Sequence, residues 1–274
     1  MGANLFYSVL IKTTESTYDE TVTALWELET AGIVDEPRGV RAFFDSREIA
    51  EVAAQTFSQN VIQLSEEKLP AIPAKEDWEP FVVGEHFFIA PSTSTMPAPS
   101  GRIRLTVDAG SAFGSGRHES TQLTIQALET YLRPNMTVLD VGCGSGILSS
   151  AAHLLGAAEI FACDIDPNAI SVAQLVDSIA VFAGSADAVK ARVADLVLAN
   201  ISARIVDAIA PDLHRVCKPD GYVIIAGFIQ DQLPRRWIPE KILTAGEWQC
   251  WFCRRDPILA ESTPAPLSHS RQWW

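Results

Sequence analysis

The chain has 274 residues, 47% of them hydrophobic and 20% charged, which excludes wholesale disorder and leaves room for one large domain or two smaller ones. Its 21 Lys/Arg against 34 Asp/Glu give a net charge of −13, a balance that repels phosphate backbones, so no direct nucleic-acid binding is expected. No window holds the roughly 18 consecutive apolar residues of a membrane helix, and the first residues lack the basic and long apolar regions of a signal peptide.

The first 65 residues alternate between element types. Leu5–Lys12 is a β-rich run. Tyr18, Val22, Leu25 and Trp26 then recur at helical spacing. Gly32 and Pro37–Gly39 punctuate, and Val40–Phe44 reads as a short strand. Ser46 is placed to cap a second helix with Ile49, Val52, Ala53 and Phe57 inward, and Val61–Leu64 is another strand. The pattern predicts a small α+β sandwich over residues 1–65, its sheet covered by helices on one face. Residues 1–76 hold 6 Lys/Arg against 13 Asp/Glu, a net −7, more than half the charge of the whole chain. Such a module would steer a basic partner, or the charge serves solubility alone.

Residues 66–100 contain Pro70, Pro73, Pro80, Pro91, Pro97 and Pro99. Proline at this density reads as a stiff linker, with Phe81–Ala90 an extended segment packed on a neighbour.

From residue 101 to 255 the pattern is α/β. Ile103–Val107 is a strand, Asp108–Glu119 a Gly-rich loop, and Ser120–Leu132 a helix. Thr137–Val141 is a continuous apolar strand, as buried parallel strands are, followed by a glycine loop and the apolar helix Ile147–Leu155. Glu159–Cys163, Asp195–Ala199 and Tyr222–Ala226 are further strands, and Asp166-Pro167 starts a helix. Strands separated by helices predict a doubly wound, Rossmann-like parallel sheet. Residues 256–274 are Pro/Ser-rich, expected to be a disordered tail. The five cysteines are scattered, and Cys250 and Cys253 fall on opposite faces of a strand-like run. They read as small buried residues of a chain in the reducing cytosol.

Three segments carry chemistry. The first is Asp140-Val-Gly-Cys-Gly-Ser-Gly146, between a buried strand and an apolar helix. Gly142 and Gly144 let a ligand lie against bare main chain, although a structural turn would use the same residues. Asp164 follows Gly142 by 22 positions, at the end of the next strand, where a carboxylate accepts ribose hydroxyls. The loop reads G-x-G-x-G rather than the G-x-G-x-x-G of a pyrophosphate site. An acidic residue and main-chain groups suit S-adenosyl-L-methionine, a cofactor with a sulfonium and an amino group but no phosphate. The second segment is Asp108–Thr121, with glycines 110, 114 and 116 around Phe113, which could close over that site. His118 there reads more readily as a hydrogen-bonding loop residue than as a base, and no metal site is expected. The third is Ala199-Asn200-Ile-Ser202, where Asn200 at a strand's carboxyl end could accept a hydrogen bond from an amine or cap a helix.

Together, DAGSAFGSGRHEST, VLDVGCGSGIL, ACDIDPNAI and VLANI resemble the PrmA-type ribosomal protein methyltransferases, from about Trp78 to the strand at 247–252. The resemblance implies a class I methyltransferase domain and a small ferredoxin-like N-terminal domain for substrate recognition. It also implies transfer of methyl groups to amines, lysine side chains and possibly the N-terminal α-amine, of the stalk-base protein numbered eleven. On the matching motifs it makes Thr121, Gly142, Gly144, Asp164 and Asn200 cofactor-binding residues, with Asn200 also at the acceptor site as the catalytic residue. The chain departs from the family in reading DAG for DPG, in a short stretch between Asp166 and Asn200, and in Pro234 and Pro239 where a long helix is expected.

The implied enzyme is a cytoplasmic monomer acting on a basic ribosomal protein, with no membrane partner. The rivals are a methyltransferase of the same build acting on another protein lysine or a small amine, an inactive cofactor-binding interaction protein, and an NAD-dependent oxidoreductase.

Overall fold

The computed structural model describes residues 4–14, 17–28, 30, 32–36, 38–44, 46–69, 78–107, 115–174 and 178–256. Two units meet in sequence between Ala74 and Lys75.

The N-terminal unit runs β1 (Asn4–Lys12), α1 (Tyr18–Glu27), β2 (Gly32–Glu36), β3 (Gly39–Phe44), α2 (Arg47–Thr56) and β4 (Val61–Leu69). Its sheet has the order β2-β3-β1-β4 with every neighbour antiparallel, a ferredoxin-like α+β arrangement. Alternation along β3 sends Val40, Ala42 and Phe44 into one core with Leu25 of α1 and Ala50 and Ala53 of α2. β2 is not among the expected strands, because only four residues, two of them acidic, lie between Gly32 and Pro37. Its hairpin with β3 depends on Gly39, whose φ is 152°; a Cβ there would lie 2.0 Å from the Ile11 carbonyl oxygen. Ser46 precedes α2 but caps no backbone group. Its hydroxyl donates to the Glu48 carboxylate at 2.6 Å. Val52, expected inward, is 46% exposed, and Ala50 takes the inner place one turn before Ala53.

The expected linker is in part folded structure. β4 extends to Leu69, and β5 (Phe81–Val83), β6 (Phe87–Ala90) and β7 (Ile103–Thr106) form a three-stranded sheet. Pro80 and Pro91 stand just outside strand ends and break no ladder, while all four residues of β6 are buried. Phe87 and Ile89 join Leu105 in the core of the larger unit. The Arg104 guanidinium donates to the carbonyls of Pro91, Ser94 and Met96, which fixes the connection between β6 and β7. Residues 70–77, and the tail from 257, lie outside the described residues.

Seven strands make the main sheet: β8 (Thr137–Val141), β9 (Glu159–Asp164), β10 (Ala180–Ala183), β11 (Ala194–Asn200), β12 (Cys217–Ile229), β13 (Pro239–Ala245) and β14 (Trp248–Arg254). Their order is β10-β9-β8-β11-β12-β14-β13. The first five are parallel, and β14 and β13 complete the edge antiparallel. This is a Rossmann-like α/β sheet, with α3 (Glu119–Tyr131), α4 (Ile147–Leu154), α5 (Pro167–Ala173), α6 (Ala203–Ala208) and α7 (Ala210–Val216). Successive residues feed two cores. Val138, Leu198 and Ile224 belong to one, while Leu139, Val197 and Val223 belong to the other. Cys250 joins the first and Cys253 the second, and all five cysteines are buried and unpaired. Burial pushes the Cys250 thiol up to about 12, so it packs as a small apolar group.

Strand order reverses between β8 and β11, which opens a crevice beyond their carboxyl ends.

Candidate functional site

Between β8 and α4 the backbone turns on three glycines with positive φ: 73° at Gly142, 54° at Gly144 and 77° at Gly146. The Gly142 and Cys143 amides both donate to the Cys163 carbonyl, at 2.8 and 3.1 Å, tying the loop to β9. A Cβ on Gly142 would stand 2.6 Å from Cγ2 of Ile201. Glycine there therefore serves both the torsion and the close approach of the chain after β11.

Asp164 ends β9. Its Oδ2 accepts from the Gly144 amide at 2.9 Å and its Oδ1 from the Asp166 amide at 3.0 Å. Two backbone donors thus fix the carboxylate and leave it further acceptor capacity. Asp140 lies below the loop and is fully buried. Its Oδ2 accepts from the Ser149 hydroxyl at 2.6 Å, while its Oδ1 has no partner among the described residues. Burial raises its pKa to about 6; the Ser149 hydrogen bond opposes the rise and the Asp164 charge adds to it.

Gly142, Gly144, Asp164 and Asn200 line one cleft of about 310 Å³. Ile165, Ile201, Ile205 and Ile209 supply apolar walls, and Gly184 and Ser185 at the end of β10 close one side. Ile165 and Ile205 are 40% and 43% exposed and form an open apolar lip. Its apolar walls can pack against a flat ring, and the remaining lone pairs of Asp164 can accept from hydroxyl groups.

Asn200 ends β11, and its Nδ2 donates to Thr121 Oγ1 at 3.3 Å. Thr121 is 1% exposed in the first turn of α3, so the amide is clasped from a helix 79 residues away in sequence. Asn200 Oδ1 is buried with no partner among the described residues. It caps no helix; Ser202 holds that position for α6. His118 is the N-cap of α3, its Nδ1 accepting from the Ser120 amide at 3.2 Å. Its ring meets Trp248 edge-on at 4.3 Å.

Four of the five sequence-predicted residues therefore line one cleft, and Thr121 reaches it through Asn200. Residues 108–114 of the Gly-rich loop lie outside the described residues. The apolar walls and Trp248 escaped the sequence reading. Ile165 and Ile201 stand inside the quoted motifs beside Asp164 and Asn200, but nothing local marks them as walls, and Trp248 reads only as part of a strand. Among the described residues, no group of three or more His, Cys, Asp or Glu could hold a metal, and no helix is long and apolar enough to cross a membrane.

Residues 6–255 match the family described as "Ribosomal protein L11 methyltransferase (PrmA)". A protein named ribosomal protein L11 methyltransferase from Streptococcus pneumoniae serotype 4 is 41% identical over 209 residues, 68% of this chain and 66% of that one. One of the same name from Streptococcus equi subsp. zooepidemicus is 39% identical over 210 residues, with the same coverage of 68% and 66%. A crystal structure of ribosomal protein L11 methylase from Lactobacillus delbrueckii subsp. bulgaricus matches with a TM-score of 0.59 at 31% identity, covering 65% of this chain and 100% of that one. The chain thus spans slightly under two thirds of the length of the curated relatives, at 66%.

Proposed function

Because the chain belongs to the ribosomal protein L11 methyltransferase (PrmA) family, we propose that it transfers methyl groups from S-adenosyl-L-methionine to amino groups of ribosomal protein L11. The acceptors are lysine side chains and the N-terminal α-amine. The reading rests on one observation above all. The cleft that collects Gly142, Gly144 and Asp164 also ends in Asn200, whose oxygen is buried and unpaired.

The residues fit the cofactor. Asp164, already oriented by two amides, has lone pairs left for ribose hydroxyls. The isoleucine walls suit an adenine ring. The buried, unpartnered Asp140 Oδ1 lies below a loop that would carry the cofactor's cationic amino group, and a nearby positive charge would favour the ionised carboxylate. The cofactor supplies an electrophilic methyl group on a sulfonium.

The protein's own task is the amine. A lysine with pKa about 10.4 must lose a proton before it can attack, which costs roughly 4.6 kcal/mol at pH 7. A desolvated pocket lowers that cost by disfavouring the ammonium. Asn200 Oδ1 accepts one amine N–H and so directs the nitrogen lone pair, while the Thr121 clasp prevents the amide from turning. An unpaired buried acceptor costs about 1–3 kcal/mol, and an amine donor relieves that cost when it binds. In-line placement supplies much of the rest. His118 is engaged as a helix cap and is assigned no proton-transfer step.

The acidic N-terminal unit, net −7 over residues 1–76, suits recognition of a basic protein and is assigned that role. Buried, unpaired cysteines fit a chain that works in the reducing cytoplasm. The test is transfer of labelled methyl from S-adenosyl-L-methionine to ribosomal protein L11. Label should enter lysine and α-amino positions, and a protein lacking residues 1–77 should retain cofactor binding but lose most of its rate on intact L11. Cofactor binding without label in any ribosomal protein would reduce the chain to a binding protein.

A further inference from the structure

The chain carries a net −13, and several of its arginines are internally committed. Arg215 and Arg254 pair with Asp212 and Glu240, and Arg102 and Arg104 bind carbonyls. Arg235 and Arg236 differ. Both are exposed, and among the described residues the bonds at these positions come from their backbone amides. Those amides donate to the two oxygens of the Asp207 carboxylate, at 2.7 and 3.0 Å, so the turn is fixed while the guanidinium groups stay outside. Trp237, 6% exposed, anchors the next position by stacking on His214 at 4.3 Å. On either side, Leu233 is 41% and Ile238 87% exposed. A rigid loop thus presents two cations between two exposed aliphatic side chains.

The loop runs beside α6, one wall of the cleft. It leaves β12 at Ile229, the strand partner of Trp248, and the Gln230 amide donates to the Glu247 carbonyl at 3.0 Å. It then passes α6, which carries both Asp207 and the cleft residue Ile205.

We propose that the loop at 230–238 docks an acidic stretch of the protein acceptor, Arg235 and Arg236 receiving its carboxylates and Leu233 and Ile238 its aliphatic side chains. This rests on the functional reading above and adds a specificity surface to it. Guanidinium forks match carboxylates in shape as well as charge. A polypeptide suits the loop better than RNA does, since its one aromatic ring is buried and unable to stack on a base, and the net charge of the chain repels phosphates.

The test is the double variant Arg235→Glu/Arg236→Glu in the full chain, with purified ribosomal protein L11 as the probe. Direct binding of L11 should weaken about tenfold, with a matching rise in KM and a changed salt dependence. The kcat and the affinity for S-adenosyl-L-methionine should not move. Arg235→Lys/Arg236→Lys should restore most of the binding. Since Asp207 holds backbone amides, neither change removes the clamp. Unchanged L11 affinity overturns the proposal, as does a parallel loss of cofactor affinity. Weaker binding of a ribosomal RNA fragment, or loss of a dimer in sedimentation, with L11 binding intact would also overturn it. If the parent binds L11 but transfers no methyl group, the functional reading fails while the docking result stands.

Discussion

The two ends of the proposed site are built by different means. At the end proposed for the cofactor, main-chain torsions and backbone amides dominate. Gly142, Gly144 and Gly146 hold positive φ, and the Gly144 amide meets Asp164 only 20 residues on. At the end proposed for the acceptor, side chains from distant elements must meet. Asn200 binds Thr121 across 79 residues. The first end can be damaged by a single methyl group. The second is tuned by orientation, so its changes should separate catalysis from cofactor binding.

The largest effect belongs at Gly142. Valine there would combine a left-handed φ of 73° with a Cβ 2.6 Å from Ile201. The strain alone costs about 1–3 kcal/mol, and shifting the loop removes the main-chain surface the cofactor needs. Gly142→Val should fold and show no heat of S-adenosyl-L-methionine binding in calorimetric titration. Normal binding would mean that the glycines only make a turn.

Asp140 tests the buried charge at the same end. Its folded pKa of about 6 stands above its unfolded value, so the native state holds the proton more tightly. The stability this brings is present below about pH 4 and is lost as pH rises through about 6, up to roughly 3 kcal/mol. Urea unfolding of the parent and of Asp140→Asn should therefore diverge across that window, the variant losing this part of the pH slope. Parallel pH profiles would show that Asp140 ionises without cost.

Asp164→Ala removes charge-assisted acceptors, worth roughly 1.5–3 kcal/mol. Cofactor affinity should fall about 10- to 100-fold, and an unchanged dissociation constant would sink the ribose assignment. At the acceptor end, Thr121→Val keeps shape but deletes the clasp on Asn200. A lost hydrogen bond of about 1 kcal/mol should lower kcat about fivefold. Steady-state kinetics and titration should agree that cofactor affinity falls less than kcat. If both constants fall together, the two ends are not separable.

The same contrast explains what the sequence made legible. Glycine torsions and the Gly142-to-Asp164 spacing are local properties, and buried parallel strands such as Thr137–Val141 announce themselves as apolar runs. The parts that escaped depend on tertiary context. β2 is five residues with two acids, and β13 opens on Pro239, tolerable at the first position of an edge strand. β5 and β6 are legible only as the extended segment Phe81–Ala90, and the full burial of β6 comes from packing against the larger core. Trp248 joins His118 only because β14 inserts between β12 and β13. The Asn200–Thr121 bond left no mark in either motif taken alone, although the family resemblance assigned both residues to the site.

The central claim is that this one cleft couples cofactor binding at Asp164 to an amine held at Asn200. It is tested most directly by incubating the full chain with methyl-labelled S-adenosyl-L-methionine and ribosomal protein L11, beside Asp164→Ala and Asn200→Ala. The account predicts labelled methyl-lysine and α-amino products with the parent, sharply less with Asn200→Ala even at saturating cofactor, and recovery of Asp164→Ala at high cofactor concentration. Label on L11 that survives Asn200→Ala at the parent's rate would contradict it.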